Sequence, residues 1–124
     1  MKLWFFYLLK EVFILNTIEE YELFELKKLI DNIINVVDCN ENNSIPEFYN
    51  IIKRMGRNID MCIQSGDEYM YELMDIVKSD WENVNMNNIN ISKYHIWQDD
   101  YDKRIMINNE FKNIIEDIND IIYG

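Results

Sequence analysis

The sequence predicts an all-α fold: one compact helical bundle of five to seven helices spanning residues 1–124. Three observations carry this. Apolar residues recur at steps of three and four over most of the chain. Capping signatures and polar turn clusters punctuate those runs. A chain of 124 residues that is 48% hydrophobic and 14% aromatic can fill one core, and no linker-like stretch divides it.

The first element is Met1 to Leu15. Leu3, Trp4, Phe5, Phe6, Tyr7, Leu8 and Leu9 form an apolar run that resembles a secretory leader. Lys10 and Glu11 interrupt it, and no small-residue cleavage site follows, so the reading is a buried first helix. Thr17-Ile18-Glu19-Glu20 then reads as a capping box, with Thr17 at the N-cap and Glu20 three residues on. The helix behind it carries Tyr21, Phe24, Leu26, Leu29, Ile30, Ile33, Ile34 and Val37.

Asp38 to Asn43 breaks the pattern with turn residues. Ser44-Ile45-Pro46-Glu47 is a second capping box, with proline in a first turn where its missing N–H costs nothing. Phe48, Ile51, Ile52 and Met55 make a short apolar stripe, and Gly56 suits a helix end or a bend. Residues 57–64 are compatible with continued helix. Ser65-Gly66-Asp67-Glu68 is a third helix start, ahead of Met70, Leu73, Met74 and Val77.

From Trp81 to Ile91 three readings stay open. Asparagines alternate with Val84, Met86, Ile89 and Ile91, as in a strand, but asparagine is a poor strand former. An ordered loop or a short helix fits as well. Asp102 to Tyr123 is the last helix, carried by Ile105, Phe111, Ile114, Ile115, Ile118, Ile121 and Ile122.

Composition restricts the function. Twelve basic against 23 acidic residues give a net charge of −11, divided as −3 over residues 1–62 and −8 over residues 63–124. Nucleic-acid binding is not expected, because gripping a phosphate backbone needs clustered Lys and Arg. No apolar run reaches the roughly 20 residues of a membrane span. Two cysteines, Cys39 and Cys62, make no disulfide framework and fit a reducing compartment such as the cytoplasm. With one histidine and two cysteines a structural zinc site is not expected, nor is any cofactor. The chain has 21 Ile and 17 Asn but no Ala, the residue usage of an AT-rich genome.

No catalytic motif is found. There is no phosphate-cradling glycine loop, no GxSxG and no HExxH. Cys62 and His95 have no local signature of a nucleophile pair. Asp38-Cys39-Asn40-Glu41-Asn42-Asn43-Ser44-Ile45 begins like a calcium loop, with oxygen ligands at alternate positions. Its sixth residue is Asn43 rather than glycine, and its twelfth is Tyr49 rather than a bidentate carboxylate, so a polar turn is the better reading. What remains is surface for partners. Met55, Met61, Met70 and Met74 lie with Phe48, Ile52 and Leu73 in a methionine-rich stripe that suits either core or a helix-binding groove.

Three stretches carry a family resemblance. Met55-Gly56-Arg57 resembles the Trp-Gly-Arg of the first Bcl-2 homology motif, with Met in place of Trp. His95-Ile96-Trp97-Gln98-Asp99 resembles the Trp-Ile-Gln-Asp opening of the second, in altered order. Leu26 to Asp31 has the Leu-x-x-x-x-Asp spacing of the third, and Trp97 to Tyr123 resembles the ending of the short poxvirus members. The resemblance to the poxvirus Bcl-2-like family covers about half the chain.

It implies a Bcl-2-like bundle without catalytic activity. The protein would sequester host pro-apoptotic helices or signalling adaptors upstream of NF-κB, in the host cytosol. Arg57 would be the groove cation, and Phe48, Ile52, Met55, Met70 and Leu73 the groove walls. Several members dimerise through their first and last helices, which by analogy places Trp4, Tyr7 and Phe111 on a homodimer face. The alternative is an acidic bacterial immunity protein that caps a basic nuclease toxin with its −8 second half. Steep salt dependence of binding separates that reading from an apolar groove.

Overall fold

Helix-forming stripes and the turns between them decide the architecture. The computed structural model describes residues 19–40, 45–86 and 88–124. Among these lie four α-helices: α1 (Glu20–Asn40), α2 (Tyr49–Ser65), α3 (Met70–Val84) and α4 (Tyr101–Tyr123). Two short 3₁₀ turns, Gly66–Glu68 and Ile91–Lys93, complete the regular structure, and no strand occurs among the described residues. The all-helical class is found, with four helices described rather than five to seven. The helix expected over Met1 to Leu15 lies outside the described residues, as do Thr17 and Ser44 of the first two capping boxes.

α1 begins two residues later than the Thr17 box implies. Glu19 precedes its first residue, and the Glu22 carboxylate three positions on accepts a hydrogen bond from the Glu19 N–H at 3.2 Å. Its buried face is Leu23, Leu26, Ile30, Ile33 and Val37, alternating steps of three and four. Tyr21 and Phe24, expected on that stripe, fall out of phase and are 69% and 56% exposed.

α2 runs through Gly56 without a break. A Cβ at Gly56 would stand 3.4 Å from Ile30 Cγ2, an ordinary contact, so this face of α2 packs on α1 with room for a methyl group. The end comes at Gly66, whose φ of +65° is a positive value that glycine tolerates and other residues rarely adopt. Ser65 to Glu68, expected as a helix start, therefore makes the end of α2 and a 3₁₀ turn, and α3 starts at Met70.

Contacts fix the packing. Lys27 faces Asp60 at 3.6 Å and Asp38 accepts from the Tyr49 hydroxyl at 2.6 Å, so α1 and α2 run antiparallel. Arg54 meets Asp80 and the Cys62 thiol lies 4.0 Å from the Met70 carbonyl, so α2 and α3 do the same. α4 packs on α1 and reaches α3, where the Trp81 indole donates to Asn119 Oδ1 at 2.7 Å. Burying Trp81 completely requires such an acceptor for its N–H.

The buried carboxylate of Asp80 is met by both forks of Arg54, Nε to Oδ2 at 3.0 Å and Nη2 to Oδ1 at 2.5 Å. That pairing holds the Arg54 guanidinium even further above its ordinary pKa. After α3 the open readings for Trp81 to Ile91 resolve. Residues 81–84 finish the helix, and the Asn85 amide donates to the Trp81 carbonyl at 2.8 Å. Asn90 takes φ +33°, a backbone region where asparagine is one of the few non-glycine residues at ease. Asn83 lies in α3 and Asn85 and Asn88 in the turns that follow it, so the alternation makes no strand among the described residues.

Candidate functional site

The segment between Ile91 and Asp100 is pinned at four points. Ile91 and Ile96 are buried. Asn108 on α4 brackets the Ile96 peptide: its Oδ1 accepts from the Ile96 N–H at 2.9 Å and its Nδ2 donates to the Ile96 carbonyl at 2.9 Å. The Gln98 amide donates to the Asn40 side chain at the end of α1. Asp100 then caps α4, accepting from the Lys103 N–H at 3.0 Å. Between these anchors the chain turns Trp97 outward on one side and Lys93 and His95 toward a cleft on the other.

On the Trp97 side the buried core positions of α4 start at Phe111, and of its first ten residues only Arg104, Ile107 and Asn108 are half-buried. Trp97, Tyr101, Ile105 and Met106 are 56%, 66%, 43% and 66% exposed. The Arg104 guanidinium lies 4.0 Å above the Trp97 ring and 5.5 Å from that of Tyr101, a cation–π stack. The Trp97 indole N–H donates to Asp99 at 3.2 Å. Arg104 Nε is buried with no hydrogen-bond partner among the described residues. The aromatic rings are thus held in place while their outer faces stay open to solvent. Trp, Tyr, Arg and Met are the residue types enriched in the centres of protein interfaces.

On the other side a cleft of about 430 Å³ opens between the 92–95 segment and α4. Its floor joins a cluster of three rings: Phe48 and Tyr94 meet edge to face at 5.1 Å, and Tyr94 and Phe111 lie 5.6 Å apart. Lys93 and Lys112 flank it.

The residues expected to form a groove are placed as follows. Phe48, Ile52, Met55 and Met70 are buried in the core, Ile52 and Met55 completely. Leu73 is half-buried against that core. Arg57 is exposed on α2. Phe111, expected on a dimer face, is only 3% exposed because it packs into the ring cluster; Trp4 and Tyr7 lie outside the described residues.

In the calcium-like stretch, Asp38 is engaged by Tyr49, and Glu41 to Ser44 lie outside the described residues. No group of three or more His, Cys, Asp or Glu able to hold a metal occurs among the described residues. Cys62 is buried, which pushes its thiol above the ordinary value, and Cys39 is exposed. No described helix is long and apolar enough to cross a membrane.

Sequence reasoning missed Tyr101, Arg104 and Asn108. The signal was present: the buried stripe Phe111, Ile115, Ile118 and Ile122 extends backward at the same steps to Asn108 and Arg104. Polar residues standing at core positions mark a helix that faces polar backbone instead of apolar side chains. The sequence matches no family model, and comparison with curated proteins and with solved structures gives no match.

Proposed function

We propose that this chain acts by binding another protein, through the outward face formed by Trp97, Tyr101, Arg104 and Met106. The observation that carries this is the stack of Arg104 on Trp97 and Tyr101, with both rings more than half exposed. Ordered aromatic anchors lose little freedom when a partner covers them, which is what makes such residues dominant in interfaces.

The finer reading is a non-catalytic modulator of host apoptosis or NF-κB signalling of the poxvirus Bcl-2-like kind, acting in the host cytosol. It rests on the residue resemblance. Two features support it. Gly56, the centre of the first motif-like stretch, lies against Ile30 in the third. The second stretch supplies the exposed Trp97. Pro-apoptotic helices and signalling adaptors are the partners it entails.

The test is a titration of fluorescent pro-apoptotic helix peptides and purified adaptor domains into the protein. Trp97→Ala and Arg57→Ala are run beside the parent, at low and high salt. Saturable binding that Trp97→Ala weakens by about tenfold or more supports the interaction face, since interface tryptophans commonly contribute that much. Loss on Arg57→Ala instead points to a groove on α2. Failure of every peptide removes the apoptotic branch. Steep salt dependence with a basic nuclease domain supports the immunity-protein alternative, for which Asp99, Asp100 and Asp102 beside the exposed rings supply acidic contacts.

A further inference from the structure

We infer that the cleft between the 92–95 segment and α4 is a binding site for a small carboxylic acid with an apolar body. This inference does not depend on the partner face. The cleft holds about 430 Å³, within the range of small-molecule sites. Its apolar floor is Tyr94, Phe111 and Ile115. Phe111 and Ile115 are 3% and 6% exposed, so the floor is the flank of the core and not a mobile surface.

The charge is what selects the ligand. Lys93 and Lys112 flank the cleft, one on each wall. Neither takes part in an ion pair among the described residues, where the pairs join Lys27 to Asp31 and Asp60 and Arg54 to Asp80. Glu116 lies one helical turn beyond Lys112 and also lines the cleft, yet the two are not paired. The two lysines and one glutamate leave these side chains a charge of +1 in a chain whose net charge is −11. A single carboxylate between the two lysines balances that, with its apolar part on Ile115 and Phe111. A dianionic phosphate would exceed the local charge and crowd Glu116.

The walls are already in position. Lys93 sits in the 3₁₀ turn anchored by buried Ile91, and the segment is latched to α4 through Ile96 and Asn108. A ligand therefore meets a formed site and does not have to order a loop.

The experiment titrates benzoate into the full chain, followed by NMR of the Ile115 methyl and the His95 ring. Benzamide serves as the neutral control, and a tripeptide with a free C-terminal carboxylate separates a chain end from a free acid as the source. Saturable shifts are expected below about 10 mM benzoate, with benzamide at least tenfold weaker. Lys93→Met and Lys112→Met, both at exposed positions, should each weaken binding about fivefold to tenfold, and the double variant should abolish it. The inference is overturned if no acid saturates these resonances, if benzamide binds as well as benzoate, or if the double variant binds like the parent. None of these outcomes touches Trp97, so the partner face stands or falls separately.

Discussion

Asn108→Ala should unlatch the segment that carries Trp97. The side-chain amide makes two hydrogen bonds to the Ile96 peptide, both at 2.9 Å, and a third to the Arg104 carbonyl at 2.8 Å. The third is the lesser loss, because Arg104 lies inside α4, where its carbonyl is a helical acceptor. The Ile96 N–H and carbonyl lose their partner outright. A net hydrogen bond contributes about 1 kcal/mol, and a buried group left unpaired costs about 1–3 kcal/mol. Ile96 is buried but His95 and Trp97 on either side are exposed, so water can reach the freed groups and the lower end applies. The sum is about 2 kcal/mol, or roughly a 30-fold increase in the open population of the segment.

Native-state hydrogen exchange reads this directly. The Ile96 amide should exchange about 30-fold faster in Asn108→Ala while amides of α2 are much less affected. Asn108→Asp keeps an acceptor for the Ile96 N–H but sets a carboxylate oxygen against the Ile96 and Arg104 carbonyls, so it should not restore the parent's protection. An Ile96 amide as protected in Asn108→Ala as in the parent would refute the argument. The side chains of Ile91 and Ile96 would then hold the segment alone.

Three further outcomes follow from the packing. Gly56→Ala should raise stability by about 0.5–1 kcal/mol in urea denaturation, because alanine is the better helix former and its Cβ meets Ile30 Cγ2 at an ordinary 3.4 Å. Gly56→Val should lower stability, and a destabilising alanine would mean the helices lie closer than this. Arg54→Ala should cost about 2 kcal/mol by leaving the buried Asp80 carboxylate without its guanidinium, and an unchanged denaturation midpoint would show that Asp80 is solvated in the folded state. Of the two thiols, exposed Cys39 should react rapidly with a disulfide reagent at pH 8 and Cys62 only on unfolding. Burial raises the Cys62 thiol above its ordinary 9.0, so the unfolded chain loses that proton first. Its contribution to stability is present in full below that value and is lost as pH rises past it, and Cys62→Ala should flatten this alkaline limb.

Helix class and most core positions were legible because the stripes are long and regular. Asp102 to Tyr123 was expected as helix and Tyr101–Tyr123 is found, with Asp100 as the cap. Phase was harder. Tyr21 and Phe24 are apolar enough to be placed in the core by eye, but Leu23 owns that side of α1. Gly56 and Gly66 look alike in sequence, and their roles differ for reasons local sequence does not contain. One faces Ile30 on a neighbouring helix, and the other takes a positive φ at a free helix end. The methionine-rich stripe posed the same problem, since core and groove share its residue types and only packing assigned Met55 to the interior. The candidate site was least legible. It depends on Asn108 reaching Ile96, a contact between residues far apart in the chain that no periodicity encodes.

That contact also governs how the two surfaces relate. The 91–99 segment is one wall of the carboxylate cleft through Lys93 and presents Trp97 to the partner face, with Ile96 and its Asn108 latch between them. While the latch holds, a ligand on Lys93 and a partner on Trp97 share no moving part, and their binding free energies should add to within about 0.5 kcal/mol. Coupling requires an element with two states that both ligands bias. Opening of the latch is such an element, and Asn108→Ala brings its open state within reach. In that variant an acid in the cleft, by bracing the wall that carries Lys93, should restore part of the lost affinity of the partner face. The same acid should leave the parent protein's partner affinity unchanged. A parent protein in which benzoate alters partner affinity would place the coupling in the closed segment itself and not in the latch.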